Sequence, residues 1–141
     1  MTRQEMEALL AQRTDAMTRH DASAMAQLYA KDCFLESPTA GGTVKGRRGV
    51  EDVSRAWFKG FPDAVWTTEE LLIDGDRMVQ IATATGTDTG GFLGLPPTGK
   101  PFRLPMVTIF TMKGQEIVHE RRIYDFTGML VQIGVLKAKP A

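Results

Sequence analysis

The sequence predicts an α+β fold in which N-terminal helices pack on one face of a strongly curved, mixed or antiparallel sheet. Apolar residues recur at three- and four-residue spacing up to about residue 60, as on amphipathic helices. From Val65 onward the apolar period changes to two, and glycine-containing turns separate the runs. Helices followed by a meander of strands are typical of α+β domains. We expect the curved sheet to form a cone-shaped barrel with an internal pocket.

The composition is that of one globular domain. Of the 141 residues, 43% are hydrophobic and 24% are charged. These values are close to the globular average, and a chain of this length can bury a sizeable core. We therefore predict a single domain over 1–141, in which 137–141 form a loose tail.

The charge balance argues against nucleic acid and membrane partners. Lys plus Arg and Asp plus Glu number 17 each, so the formal net charge is zero and no strong field draws the chain to phosphates. No stretch reaches the ~18 apolar residues of a membrane span. Cys33 is the only cysteine, which excludes an intramolecular disulfide and a Cys/His zinc site without borrowed ligands. These features favour a cytoplasmic protein without a bound metal.

Boundary signals place three helices before most of the sheet. Thr2 and Glu5 form a capping-box pattern, which predicts a first helix up to about Arg19. Asp21 is the predicted cap of a second, shorter helix. A third helix is predicted over about 47–59.

Turn residues separate the predicted strands. The segments 41–42, 74–76 and 113–114 contain glycines, which tolerate the positive φ angles of tight turns. A closing helix is predicted to begin at a Thr127 cap. The predicted strands are 33–37, 65–73, 78–85, 102–112 and 116–125.

The last predicted strand holds the densest group of ionisable side chains. By alternation His119, Arg121 and Asp125 share one face, whereas Glu120 and Arg122 share the other. Only one face can lie inside the cone. If the first set is inside, burial and a neighbouring arginine would tune a carboxylate for proton transfer. In the alternative, His119 and Arg121 lie at a rim and Asp125 caps the closing helix or its turn.

A long Gly- and Pro-rich loop is predicted over 86–105, with Asp88 near its start. Two roles are open for Asp88: it overhangs the mouth of the pocket, or it bonds to the backbone of its own loop. The segment 94–100 matches the spacing G-x-x-x-x-G-K of a phosphate-binding loop. We reject that function because Pro96 and Pro97 lack the N–H donors that cradle phosphate.

Large apolar side chains are candidate walls of the pocket, although such residues more often belong to the core alone. Specificity in an apolar cavity depends on its volume and on a few polar groups. The candidate wall residues are Tyr29, Trp57, Phe61, Met106 and Phe110.

Several motifs, taken in order along the chain, resemble those of a known family. Each is weak alone, but together they cover nearly the whole chain and resemble the SnoaL-like polyketide cyclases of the nuclear transport factor 2 superfamily. The motifs are Phe61-Pro62-Asp63, the hairpin at 74–77, the stretch GTDTGGFLGLPPTGKPF at 86–102, the segment 113–118 leading to Asp125, and Gln132-Ile133-Gly134.

The resemblance implies a homodimer, which we expect to form through the outer face of the sheet, and an enzyme without a metal or organic cofactor. It also implies intramolecular aldol ring closure of a small, hydrophobic, carbonyl-bearing substrate. Asp125 is then the expected general base, and Arg121 the expected anchor of a carbonyl or oxyanion. Family members commonly carry histidine at the position of Asp88, so Asp88 or His119 is the expected proton partner.

Two other functions stay open. The limonene-epoxide hydrolases of the same superfamily have an Arg-x-Asp pattern that Asp88 matches, but Gly86 replaces its arginine and Arg122 replaces a second carboxylate. An altered hydrolase or isomerase is therefore the enzymatic alternative. The other alternative is a non-catalytic module that holds a hydrophobic ligand. A desolvated Asp125 beside apolar walls would distinguish an enzyme from such a module.

Overall fold

The computed structural model of the chain describes residues 1–40 and 42–137. Within these residues the chain forms four α-helices, and the predicted α+β class is confirmed. The capping box of Thr2 and Glu5 begins the first helix as predicted, and Asp21 caps the second. The helices are α1 (Arg3–Thr18), α2 (Ala22–Ala26), α3 (Gly46–Gly60) and α4 (Phe126–Gln132).

Six strands of the described chain form one mixed sheet, which does not close into a complete barrel. Their bounds are β1 (Tyr29–Ser37), β2 (Gly42–Lys45), β3 (Val65–Asp74), β4 (Arg77–Thr87), β5 (Pro101–Lys113) and β6 (Glu116–Ile123). The strand order is β2-β1-β6-β5-β4-β3, in which β1 and β6 are parallel and the other neighbours are antiparallel.

The short edge strand β2 was not predicted. It has four residues, none of them fully buried, so it carries too little apolar alternation to be recognised. Gly41 of the predicted turn and 138–141 of the predicted tail lie outside the described residues.

The core lies between the helices and the inner face of the sheet. Alternate residues of β5 are buried from Phe102 to Met112, as expected for a strand with one covered face. Helix α3 covers this face with Val50 and Trp57, which are at most 3% exposed. Burial of each such side chain contributes about 1.5–3 kcal/mol.

A β-bulge decides which face of β6 lies inside the cone. Met112 pairs with Ile117 and Thr111 pairs with His119, so β6 has one extra residue between these pairs. Alternation counted from the buried Ile117 would place His119 inside. The extra residue reverses that alternation, and Glu120 is fully buried instead. The even-numbered residues of β6 therefore face inward from this point.

The loop after β4 is pressed against the end of α3. A Cβ atom at Gly90 would lie 1.7 Å from the carbonyl oxygen of Lys59, so only glycine fits there. The segment 94–100 continues directly into β5 rather than into a helix. This geometry agrees with the rejection of a phosphate-binding loop.

None of the described helices combines the length and the apolar character needed to cross a membrane. The described residues also contain no group of three or more His, Cys, Asp or Glu side chains placed to hold a metal ion.

Candidate functional site

A mostly apolar cavity lies inside the cone, between the sheet and the first three helices. It occupies about 520 Å³ when its open mouth is included, and about 30 Å³ of this is free space large enough for water. Methionines form part of its wall, and their unbranched side chains can rearrange to admit a larger molecule. The lining residues are Arg13, Thr14, Met17, Met25, Ser54, Trp57, Phe58, Trp66, Gln80, Ala82, Met106, Thr108 and Arg122.

A buried cluster of polar side chains adjoins the cavity. Arg13 of α1 donates to the Glu120 carboxylate at 3.1 Å and to the Tyr29 hydroxyl at 2.9 Å. Arg122 donates through Nε to the other oxygen of Glu120, and the Tyr29 hydroxyl donates to the first. The Arg13 guanidinium also lies 4.9 Å from the centroid of the Phe110 ring. All these polar side chains are more than nine-tenths buried.

This cluster carries one more positive than negative charge. Burial alone would raise the pKa of Glu120, but the charges of Arg122 and Arg13 and the Tyr29 hydrogen bond outweigh it and lower the pKa to about 2. Burial raises the pKa of Tyr29, so this hydroxyl stays neutral. Two guanidinium groups therefore share one carboxylate, which leaves an excess positive charge beside the cavity.

Two buried N–H donors of cavity-lining residues have no hydrogen-bond partner among the described residues. They are Nη2 of Arg122 and the indole Nε1 of Trp57. An unpaired buried donor costs about 1–3 kcal/mol, and such groups are uncommon in folded proteins. The cavity can therefore accept an oxygen atom with free lone pairs, and a negatively charged oxygen forms the strongest bonds.

Aromatic neighbours hold Trp57 in place. Its ring centroid lies 5.1 Å from that of Phe92 and 5.7 Å from that of Phe61. Tyr124 contacts it edge-on at 5.9 Å. These contacts fix the direction of the indole N–H, which is the condition for a preorganised donor.

Asp125, the predicted general base, lies outside the cavity. The strand β6 ends at Ile123 rather than at Asp125. Asp125 is the N-cap of α4 and accepts a hydrogen bond from the Gly128 N–H at 2.8 Å. The predicted cap at Thr127 is therefore wrong. Asp125 is exposed, so the desolvated carboxylate expected of an enzyme is not found at this position.

Asp88 is buried, but it bonds to its own loop and does not line the cavity. Its carboxylate accepts hydrogen bonds from the Phe92 N–H at 3.2 Å and from the N–H and hydroxyl of Thr98 at 3.1 Å. Of the two roles left open by the sequence, the structure therefore shows the loop-organising one.

His119 and Arg121 lie on the outer face of the sheet. The His119 ring stacks on Phe34 with centroids 4.1 Å apart, and its Nε2 lies 2.6 Å from Oε2 of Glu36. Arg121 is exposed. The expectation that this face points into the cone is wrong, because the bulge in β6 turns it outward.

The structure places Trp57 and Met106 of the predicted wall residues on the cavity lining. Tyr29 and Phe110 lie behind the lining, in contact with Arg13. Phe61 supports Trp57 from the core.

Arg13, Glu120 and Arg122 are site residues that the sequence analysis missed. A signal was available for Arg13, because it lies on the buried stripe of α1 with Leu10 and Met17. A charged side chain on such a stripe requires a buried partner. Its partner Glu120 is 107 positions away, a separation that no local pattern reports.

The family model of the SnoaL-like polyketide cyclases matches residues 8–133. The chain belongs to this family. No match was found among curated proteins.

Several solved structures resemble this SnoaL-like protein over most of its length. IdmH of Streptomyces antibioticus, a proposed polyketide cyclase, is 30% identical, with a TM-score of 0.78 over 91% of this chain and 97% of that chain. AclR of Streptomyces galilaeus, a proposed hydroxylase, is 24% identical, with a TM-score of 0.84 over 99% of this chain and 87% of that chain. A protein of Catenulispora acidiphila with a ketosteroid isomerase-like fold is 22% identical, with a TM-score of 0.77 over 94% of this chain and 97% of that chain.

Proposed function

We propose that this SnoaL-like protein binds a small, largely apolar compound with neighbouring carbonyl groups as its enolate and promotes intramolecular aldol ring closure. The observation that carries this proposal is the pair of unpartnered donors, Arg122 Nη2 and Trp57 Nε1, on residues that line an apolar cavity beside a cluster with excess positive charge. Membership of the cyclase family and the similarity to IdmH support the same chemistry.

The chemistry begins with the acidity of the substrate. A carbon between two carbonyl groups loses its proton to solvent, and the resulting enolate carries its charge on oxygen. Arg122 and Trp57 donate hydrogen bonds to that oxygen, which stabilises the anion and orients the molecule. The enolate carbon then forms a bond to another carbonyl carbon of the same molecule, and the alkoxide produced takes a proton from water.

The proposal requires no protein carboxylate as a base. Glu120 is the carboxylate bonded to Arg122, and with a pKa of about 2 it is a weak proton acceptor. Asp125, Asp88 and His119 each bond to a neighbouring group outside the cavity. We therefore assign none of them a proton-transfer step.

Ring closure of a synthetic aryl 1,3,5,7-tetraketone, followed by chromatography, tests this proposal. We expect the protein to accelerate cyclisation over buffer, with a rate that rises with pH as the substrate ionises. Trp57→Phe removes the indole donor and keeps an aromatic ring, and it should slow the reaction at least about tenfold.

The matched control is Trp66→Phe, the same change at the other tryptophan of the cavity wall. The Trp66 nitrogen is not among the buried, unpartnered atoms of the described chain, so the rate should change little. A protein rate equal to that in buffer, or an equal loss in the two variants, would contradict the proposed reaction.

A non-catalytic binding module is the second candidate. One observation favours it: no carboxylate or imidazole lies among the described cavity-lining residues. Binding of the enolate without faster ring closure would support this candidate. An altered epoxide hydrolase is not favoured, because the Asp88 carboxylate is already bonded to Phe92 and Thr98.

We also propose a homodimer that forms through the outer face of the sheet. Phe34, Leu72 and Ile123 are large apolar residues of this face, and each is at least 39% exposed. Light scattering should give twice the chain mass, and Ile123→Lys should shift it to one chain mass.

We also propose a cytoplasmic location. The proposal rests only on the single cysteine, Cys33, which is a free thiol, as is usual for proteins of a reducing compartment.

A further inference from the structure

Three cavity residues lie side by side on neighbouring strands. Gln80 of β4 pairs with Thr108 of β5, and Thr108 pairs with Arg122 of β6. All three side chains line the cavity and are at most 7% exposed. Neighbouring strands are about 4.8 Å apart, so the backbones at the two ends of this row are separated by about 10 Å.

The two ends of the row differ in hydrogen-bond chemistry. The Arg122 end, with Trp57 nearby on the cavity wall, offers only donors. At the other end, the Gln80 amide nitrogen donates to the Thr68 hydroxyl at 2.7 Å. The amide oxygen of Gln80 therefore points away from that hydroxyl, and none of the described residues donates to it. This end of the row offers an acceptor.

We propose that the row of Gln80, Thr108 and Arg122 selects an elongated ligand that is anionic at one end and carries a hydrogen-bond donor, such as a hydroxyl group, at the other. The inference rests on the proposed function for the anionic end and adds the recognition of the far end. The anionic oxygen binds at Arg122, and the hydroxyl donates to the amide oxygen of Gln80. Thr108, between them, accepts or donates a hydrogen bond.

The cost of burying an unpaired amide oxygen is the physical basis of this selectivity. A ligand with an apolar far end would cover the Gln80 oxygen without replacing its hydrogen bond to water. A hydroxylated ligand replaces that bond and avoids the cost. Because an unpaired buried polar group costs free energy, such groups in a binding site can reject ligand analogues that lack one hydroxyl.

Calorimetric titration with matched pairs of aromatic acids tests the inference. The pairs are benzoate with 4-hydroxybenzoate and 2-naphthoate with 6-hydroxy-2-naphthoate, which cover two lengths. In the wild-type protein we expect the hydroxyl to tighten binding about fivefold in at least one pair. In Gln80→Met, which keeps the side-chain length, this gain should disappear, because the parent acid no longer buries an unpaired amide oxygen and should bind more tightly than to the wild-type protein.

Thr68→Val provides a second variant at an exposed position, where correct folding is expected. It removes the hydroxyl that holds the Gln80 amide, so the gain from the ligand hydroxyl should shrink. Thermal unfolding checks each variant, and Thr68→Val carries the test if Gln80→Met does not fold.

The outcomes separate the two proposals. If the parent acids bind but the hydroxyl adds nothing in the wild-type protein, or if its gain survives in Gln80→Met, the role of Gln80 is wrong and the anion site stands. If no acid binds, or if Arg122→Met leaves the parent acids bound equally well, the anion site fails and the inference fails with it.

Discussion

The two faces of β6 each carry a carboxylate contact, but in different surroundings. On the inner face, Arg122 and Arg13 hold a Glu120 side chain that is 0% exposed. On the outer face, His119 and Glu36 are 2.6 Å apart, but their side chains are 27% and 43% exposed. Water screens the outer pair, whereas the inner cluster is buried and its charges are screened much less. The inner contacts are therefore expected to contribute more to stability than the outer pair.

The largest effect should come from removing the inner carboxylate. Glu120→Gln leaves two buried arginines without a counter-charge, so we expect a loss of about 3–5 kcal/mol in the free energy of unfolding. Glu36→Gln, the matched change on the outer face, should cost less than about 1 kcal/mol. Urea unfolding of both variants measures the difference, and equal losses would remove the distinction between the faces.

Acid should destabilise the protein through the same inner carboxylate. The pKa of Glu120 is lowered from an ordinary 4.5 to about 2 in the folded state. A lowered pKa adds stability that is present above pH 4.5 and is lost as the pH falls towards 2. The shift corresponds to about 3 kcal/mol. Unfolding free energies measured from pH 5 to pH 2 should fall accordingly, and Glu120→Gln should lack this part of the decrease.

A smaller effect on stability is expected from a change at Asp125, which follows β6 in the chain and caps α4. Asp125→Ala removes the cap of α4, so stability should fall by about 1 kcal/mol. Because Asp125 lies outside the cavity, binding of 2-naphthoate and the rate of ring closure should stay unchanged. Loss of ring closure in a folded Asp125→Ala protein would restore the general-base role predicted from the sequence.

Local sequence signals predicted most of the fold. The capping box at Thr2, the cap at Asp21 and the change of period near Val65 each report short-range geometry, and each is found in the structure. The site depended on two features that are not local. The bulge after Ile117 reverses the faces of β6, and the strand itself contains no glycine or proline that would mark the irregularity.

The binding groups of the site also come from distant parts of the chain. Arg13 and Glu120 meet only after α1 has packed on the sheet. The resemblance to the SnoaL-like family gave the cone correctly, but it transferred roles to Asp125 and Asp88. In this chain, these carboxylates bond to α4 and to the loop after β4. The positions of such groups follow from tertiary packing rather than from spacing along the chain.

The most direct test compares two neighbouring arginines. Arg122 lines the cavity and Arg121 is exposed on the outer face, so Arg122→Met and Arg121→Met make the same chemical change on opposite faces of β6. Calorimetric titration with 2-naphthoate should show affinity reduced at least about tenfold in Arg122→Met, as for the loss of a charged hydrogen bond, and unchanged in Arg121→Met. Equal affinities in the two variants, or a loss only in Arg121→Met, would contradict the assignment of the inner face as the binding site.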